Sequence, residues 1–394
     1  MDGSSERTLV MVLCGGKGER LYPLTKDRAK PSVPFLGVYR IVDFSLSNAL
    51  NSGLRRIALL TQYKSLSLER HILNGWNIFH SESGDFIISL PAQGRVSDHW
   101  YEGTADAVFQ NIYTIQQENP ETVVILSGDH VYKSDYRRIL AFREERDADA
   151  VVLAKVVPVA DASRFGIMQV DGEGRIIDFL EKPKKPPALP GDAERTLASM
   201  GVYIFKTPVL IKALLKDART PGSTHDFGKD IIPKLIRERS LYAYKYDDYW
   251  EDIGTIDAYW QANMTFLSAT PPVPLMDPSW PVRSHKPQFP PAFVDRGDIR
   301  NSILGSGCHL SGCRVRNSVL SPNVRVREGA EVADSIIFED VEIGQGARLR
   351  KVIVDKHSTI RGGLEIGYDA DRDAGSFKIS RDGVRVVPKQ WNSE

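Results

Sequence analysis

A chain of 394 residues is too long for one ordinary core and divides into at least two domains. Its 51 Lys and Arg balance its 51 Asp and Glu, so no global field draws it to nucleic acid or to an acidic membrane, and any anion site has to be local. With 42% apolar and 26% charged residues it is ordinary for a globular protein, and no run approaches the roughly 20 apolar residues of a membrane helix.

At the N-terminus, "MDGSSER" carries both signs of charge, and the apolar run behind it is too short for a secretion signal. The three cysteines, Cys14, Cys308 and Cys313, are too few and too odd for a disulfide framework and point to a reducing compartment. A cytoplasmic protein is expected. Short β-branched runs come next: "TLVMVL" at 8–13, "RRIALLT" at 55–61, "TVVILSGD" at 122–129 and "AVVLAKVV" at 150–157. Between them lie helix-length segments such as "YKSLSLERHILNGW" and "GTADAVFQNIYTIQQEN". The alternation predicts an α/β domain with a mostly parallel sheet covered by helices. Ligands of such sheets bind beyond the carboxyl ends of the strands. Eight of the 23 prolines fall between Pro271 and Pro291, which predicts an extended linker. Beyond about Asp298 the runs "NSIL", "NSVL", "DSII" and "KVIV" recur every 16 or 17 residues, with apolar residues two apart inside each repeat. A β step repeated about three times per coil predicts a β-helix. Cys308 and Cys313 fit its inward row rather than a metal site. The expected domains are 1–268, a linker over 269–298, and 299–394.

The first strand runs into "LCGGKGERLYPLTKDRAKP" at 13–31, where Gly15, Gly16 and Gly18 are followed by Arg20, Lys26, Arg28 and Lys30. Glycines let a backbone approach a phosphate chain and offer it N–H donors. Arg20 can fork onto phosphate oxygens, and Lys30 adds a point charge. Two phosphate-binding turns fail. A P-loop requires Lys-Ser or Lys-Thr where Glu19 and Arg20 stand, and a dinucleotide fingerprint requires a third glycine where Leu21 stands. Asp129 closes "TVVILSGD", and a carboxylate at the end of a strand is placed for a hard cation. The eight histidines show no metal-ligand spacing, and His130 reads as structural.

The glycine turn matches G-G-x-G-x-R-L, then P-L-T, then K-P, and so resembles the signature of sugar-nucleotide pyrophosphorylases. Residues 34–72, "WYEGTADAVFQN", "SGDHVY", "FGIM", "FLEKP", "ASMGVYIF", "HDFGKDIIP" and "YWEDIGTIDAYW" follow in an order that resembles the glucose-1-phosphate adenylyltransferases over essentially the whole chain. The resemblance implies a Rossmann-like nucleotidyltransferase domain followed by a left-handed parallel β-helix. It implies transfer of an adenylyl group from ATP to glucose 1-phosphate, giving ADP-glucose and pyrophosphate for glycogen or α-glucan synthesis. ATP is then expected on Gly15, Gly16, Gly18, Arg20 and Lys30, with Arg20, Lys30 and Asp129 catalytic and Mg²⁺ on Asp129 and Asp252. Glucose 1-phosphate is expected on Tyr101, Gly166, Glu181, Lys182 and Ser199, with Lys182 on its phosphate and Glu181 on its hydroxyls. Thr104 is expected to cap a helix whose N-terminus adds donors, and Asp106 in that helix to be non-catalytic.

The resemblance further implies a homotetramer controlled by metabolite effectors, with Gln62 and Trp100 passing the signal and Arg28 and Arg40 in an effector site between the domains. Asp27 and Pro34 depart from the fructose-1,6-bisphosphate-activated bacterial type, which has lysine and histidine there. An acid repels a bisphosphate, so that compound is not expected as the main activator, and another metabolite or weak regulation stays open. Three alternatives stay open. One is a sister enzyme making UDP-glucose, dTDP-glucose or GDP-mannose. Another is a non-catalytic regulatory subunit, against which stand Arg20, Lys30, Asp129, Lys182 and Asp252. The last is a hexapeptide acyltransferase, although His309 and His357 lie inside the repeat pattern rather than in a loop insertion.

Overall fold

A computed structural model describes residues 7–79, 82, 84–92 and 99–392; the charged stretch 1–6, on which the reading of the N-terminus partly rests, lies outside them. The strand Thr8–Cys14 is the centre of a nine-stranded sheet. It pairs in parallel with Arg56–Thr61 on one side and Thr122–Ser127 on the other, and Phe86–Pro91 extends the parallel set. Covered on both faces, these strands are continuous apolar runs rather than alternating ones. Val10 and Val12 pack with Trp76, Tyr132 and Tyr136 on one face, while Leu9 and Met11 pack with Ile115, Phe205 and Phe227 on the other.

The far half of the sheet is antiparallel in part. Arg195–Lys206 runs against both Thr122–Ser127 and Ala150–Pro158, and Gly166–Val170 forms a hairpin with Ile176–Glu181. The tight turn at 171–175 is too short for the crossover that a parallel neighbour needs.

The C-terminal domain winds through three parallel sheets whose members recur at the period seen in the sequence, for example His309–Ser311, Arg325–Val326, Glu342–Ile343 and Thr359–Ile360. Leu310, Val326, Ile343 and Ile360 point inward and are buried. One corner is turned by Asn301, Asn317, Asp334 and Lys351, all with φ between 46° and 55°. Asn and Asp tolerate this left-handed conformation best, and Asn301 Nδ2 donates to Asn317 Oδ1 at 2.9 Å across coils. Cys308 and Cys313 are buried and free. The first coil strand is Phe293–Asp295, paired with His309–Ser311, so the helix begins before residue 299. Pro290 and Pro291 obscure that start in the sequence.

The proline-rich stretch is strapped to the first domain rather than loose. Arg283 N donates to Ser47 Oγ at 2.9 Å and Arg283 Nε to Gly75 O at 3.0 Å, while Lys133 pairs with Asp277 at 2.7 Å. The domains share a core in which Leu21, Phe35, Phe44 and Tyr259 meet Val319, Phe338 and Ile353. Among the described residues no helix is long and apolar enough to cross a membrane.

Candidate active site

The glycine turn leaves the carboxyl end of the central strand. Gly18 has φ +64°, and a Cβ there would stand 2.9 Å from the Thr25 methyl, so glycine is required by both conformation and space. A Cβ on Gly16 would meet nothing within 4 Å, which leaves the backbone open for a ligand to approach. Thr25 Oγ1 donates to Gly18 O at 2.9 Å and ties the turn down. Arg20 is exposed and, among the described residues, has no hydrogen-bond or ion-pair partner. Its guanidinium lies beside Gly254, whose built Cβ would be 3.2 Å from Arg20 Nη2 and 3.5 Å from Asp252 Oδ2.

Asp129 and Asp252, far apart in sequence, meet because Trp250–Asp252 pairs antiparallel with His130–Tyr132, setting Asp252 opposite His130. Lys30 Nζ bridges them, 2.5 Å from Asp129 Oδ2 and 3.1 Å from Asp252 Oδ1. Burial by itself would lower the lysine, but the two carboxylates outweigh it and hold Lys30 above its ordinary value. Burial also disfavours ionised Asp129, yet Lys30, His130 and a 2.8 Å bond from Ser127 Oγ hold its carboxyl well below the usual range. The Asp129 and Asp252 oxygens and His130 Nε2 lie within 4.8 Å of one another. Hard oxygen donors in this arrangement fit Mg²⁺.

A second set of residues lies along the hairpin. Gly166 pairs with Glu181, and a Cβ on Gly166 would strike the Phe179 ring at 2.4 Å. A Cβ on Gly228 would stand 2.4 Å from Glu181 Oε2, so the carboxylate lies against a backbone that only glycine permits. Lys182 is more than half exposed and donates to Glu181 Oε1 at 2.6 Å, from a strained φ of 47°. Ser199 sits at a bulge in Arg195–Lys206 next to buried Tyr203, whose hydroxyl is pushed up by burial, then by Asp226 and Glu181.

Gln62 clamps the Tyr101 backbone, accepting from Tyr101 N at 2.7 Å, and both side chains lie against Gly15. Trp100 is 63% exposed. Arg28 and Arg40 line a cleft of about 400 Å³ between the domains, together with Asp27, Pro34, Arg70, Glu339 and Lys356. Arg28 is buried against Asp355 at 2.9 Å, with its Nη1 unpartnered.

Two expectations change. Thr104 is not a cap: Gly103 holds that position, and Thr104 Oγ1 instead bridges Asp226 Oδ2 and Phe227 N, both at 3.0 Å. The His225 carbonyl takes the Ala105 and Asp106 N–H groups, so these two donors are not offered to a ligand. His130 belongs to the carboxylate cluster rather than to structure alone. Asp106 Oδ2 accepts from Glu102 N at 3.0 Å and from Gln110 Nε2 at 2.7 Å. Tyr203, Asp226 and Phe227 are site residues the sequence reading missed. The run "HDFGKD" held the signal, since Asp226 Oδ1 accepts from Gly228 N and Lys229 N and shapes the turn against Glu181.

Residues 9–269 match the nucleotidyl transferase family and residues 290–387 the GlmU-like C-terminal hexapeptide family, whose repeats build left-handed parallel β-helices. Glucose-1-phosphate adenylyltransferase 2 of Vibrio cholerae is 47% identical over 98% of this chain and 98% of that protein. The glucose-1-phosphate adenylyltransferase of Methylococcus capsulatus is 46% identical over 97% of this chain and 93% of its own. A second Vibrio relative, from V. parahaemolyticus, is 48% identical over 97% and 98%. With its glycine turn, paired carboxylates and β-helix in the same order along the chain, this protein belongs to the glucose-1-phosphate adenylyltransferase family.

Proposed function

We infer that this cleft transfers an adenylyl group from ATP to glucose 1-phosphate, forming ADP-glucose and pyrophosphate and supplying glycogen or α-glucan synthesis. The observation that carries the reading is Lys30 held between Asp129 and Asp252 at the mouth of the glycine turn. The phosphate of glucose 1-phosphate is itself the nucleophile, attacking the α-phosphorus of ATP in line as pyrophosphate leaves. No general base is required, so rate comes from positioning and charge neutralisation. Gly15, Gly16 and Gly18 carry the triphosphate, and Arg20, with no competing partner among the described residues, closes on it. Lys30 exchanges its carboxylate contacts for phosphate oxygens. Glu181 accepts sugar hydroxyls, and Lys182 turns to the sugar phosphate, with Tyr101, Gly166 and Ser199 lining the pocket. Asp129 and Asp252 would hold Mg²⁺, which supplies Lewis-acid neutralisation of phosphate charge.

Pyrophosphate release with glucose 1-phosphate and Mg²⁺, compared across ATP, UTP, dTTP and GTP, tests this. Strong preference for ATP is expected. Preference for another nucleotide would move the protein to a sister activity, and silence in every well, with candidate effectors added, would favour a regulatory subunit.

The interdomain cleft is proposed to bind an anionic metabolite effector through Arg28 and Arg40. Burial, then Arg28, lower the Arg40 guanidinium, and burial with Arg40 brings Lys356 down to about 8. Crowded cations of this kind favour an anion. Gln62 and Trp100 are proposed to relay its binding to Tyr101 and the glycine turn. Homotetramer assembly is proposed as well: Val294 pairs with inward-facing Leu310 yet is 42% exposed, so the first coil has an uncovered apolar end. Sedimentation velocity tests that reading.

A further inference from the structure

The carboxylate pair has a third neighbour that adenylyl transfer leaves without a task. His130 Nε2 lies 3.5 Å from Asp129 Oδ1 and 3.7 Å from Asp252 Oδ1, close enough to complete a three-ligand cation site. The difference matters chemically. Two carboxylates make a hard oxygen site suited to Mg²⁺, whereas an added imidazole nitrogen favours Zn²⁺, Co²⁺ or Ni²⁺.

The far side of the ring decides between these. Trp250 Nε1 meets His130 Nδ1 at 3.3 Å in a buried contact, with the rings edge to face at 5.4 Å and 88°. An indole N–H can only donate, so Nδ1 is the acceptor and bears no proton. The ring proton of neutral His130 is therefore on Nε2, the nitrogen nearest the carboxylates. A protonated nitrogen has no lone pair for a metal, and removing that proton as well would leave an imidazolate. The arrangement is built into the ladder: the same pairing that sets Asp252 opposite His130 sets Trp250 opposite Tyr132.

We propose that Trp250 sets the metal preference of this site by holding His130 as an N–H donor, which excludes imidazole from the ligand set and keeps it an oxygen site for Mg²⁺. The proposal rests on the reading of Asp129 and Asp252 as the cation-holding pair.

The test uses the full chain without substrates. Zn²⁺ affinity is measured by calorimetry and Co²⁺ ligation by its visible spectrum. Trp250→Phe keeps an aromatic ring but frees Nδ1 to take the proton and Nε2 to ligate. Zn²⁺ binding should then tighten by about 10–100-fold, the scale on which outer hydrogen bonds tune metal sites. The Co²⁺ band should intensify, Mg²⁺ affinity should hold, and adding His130→Ala should cancel the gain. His130→Ala alone should leave Zn²⁺ affinity unchanged, a result that stands even if Trp250→Phe does not fold. A folded Trp250→Phe protein with unaltered Zn²⁺ affinity overturns the proposal, as does a tenfold loss in His130→Ala alone. Failure of the underlying reading shows separately: Mn²⁺ relaxation would then detect the same binding in the natural chain and in Asp129→Asn.

Discussion

Two charged centres lie only two residues apart in the chain and are set up for opposite ligands. Lys30 stands alone between Asp129 and Asp252, a centre with more carboxylates than cations, at the mouth of an open glycine turn. Arg28 points the other way, into a boundary between domains where Arg40, Arg70, Lys356 and Lys389 outnumber the acids Asp27 and Glu339 once Asp355 has been taken by Arg28 itself. The first centre is short of positive charge and the second short of negative. A local surplus therefore says more about what each will bind than the neutral total of the chain. The short segment from Arg28 to Lys30 also means that a shift at one centre is mechanically close to the other.

The largest effect that would break this contrast is expected at Arg28. Arg28→Met leaves buried Asp355 with the Lys356 N–H but no cation, and removing one member of a buried pair costs about 3–5 kcal/mol. Chemical denaturation should show that loss, whereas a loss within error would mean the pair is not a structural anchor. Next comes Asp129→Asn, which removes the carboxylate on which both Lys30 and the cation depend. We expect kcat/KM to fall by about 10²–10³, comparable to deletion of a transition-state electrostatic contact, in a protein that stays folded.

Lys182→Ala should act more narrowly. A hydrogen bond to a charged group is worth about 1.5–3 kcal/mol, so KM for glucose 1-phosphate should rise by about 10- to 100-fold with kcat little changed. An untouched KM would remove Lys182 from the sugar phosphate. The mildest test is a pH titration of the cleft with sulfate, whose charge stays constant. Lys356 titrates near 8 in the folded chain against an ordinary 10.5. Below about pH 8 it is already a cation, and above that an incoming anion must restore its proton. Sulfate affinity should therefore hold below pH 8 and fall above it, by at most about tenfold per unit for one proton. Over the same window the unfolded chain holds more protons at this residue, so its contribution to stability rises with pH.

The elements whose logic is local could be read from the sequence: the glycine turn after a strand, Asp129 at a strand end, and the period of the β-helix. The paired carboxylates could be assigned only because "WEDIG" resembles a family pattern, since nothing near Asp252 reveals that it folds back beside His130. The Thr104 hydroxyl reads as a cap because Ser and Thr usually cap nearby N–H groups, but the turn at Asp226 competes for it from more than a hundred residues away. Trp250 and His130 illustrate the same limit. The family pattern suggested that both segments belong to the site, and only strand pairing shows that one ring dictates the proton position of the other.

The stacked coils also act as a ruler. Each turn adds one strand spacing, about 4.8 Å, and the ladders of inward residues and left-handed corners would survive the removal of a whole coil between Phe293 and Asp355. The strap on the helix Val42–Asn51 would still anchor the start of the stack. Asp355, however, would arrive one step short of Arg28, too far for their contact. The number of coils is thus fixed by reach rather than by folding, and a shortened chain could be well folded yet disconnected between its two domains.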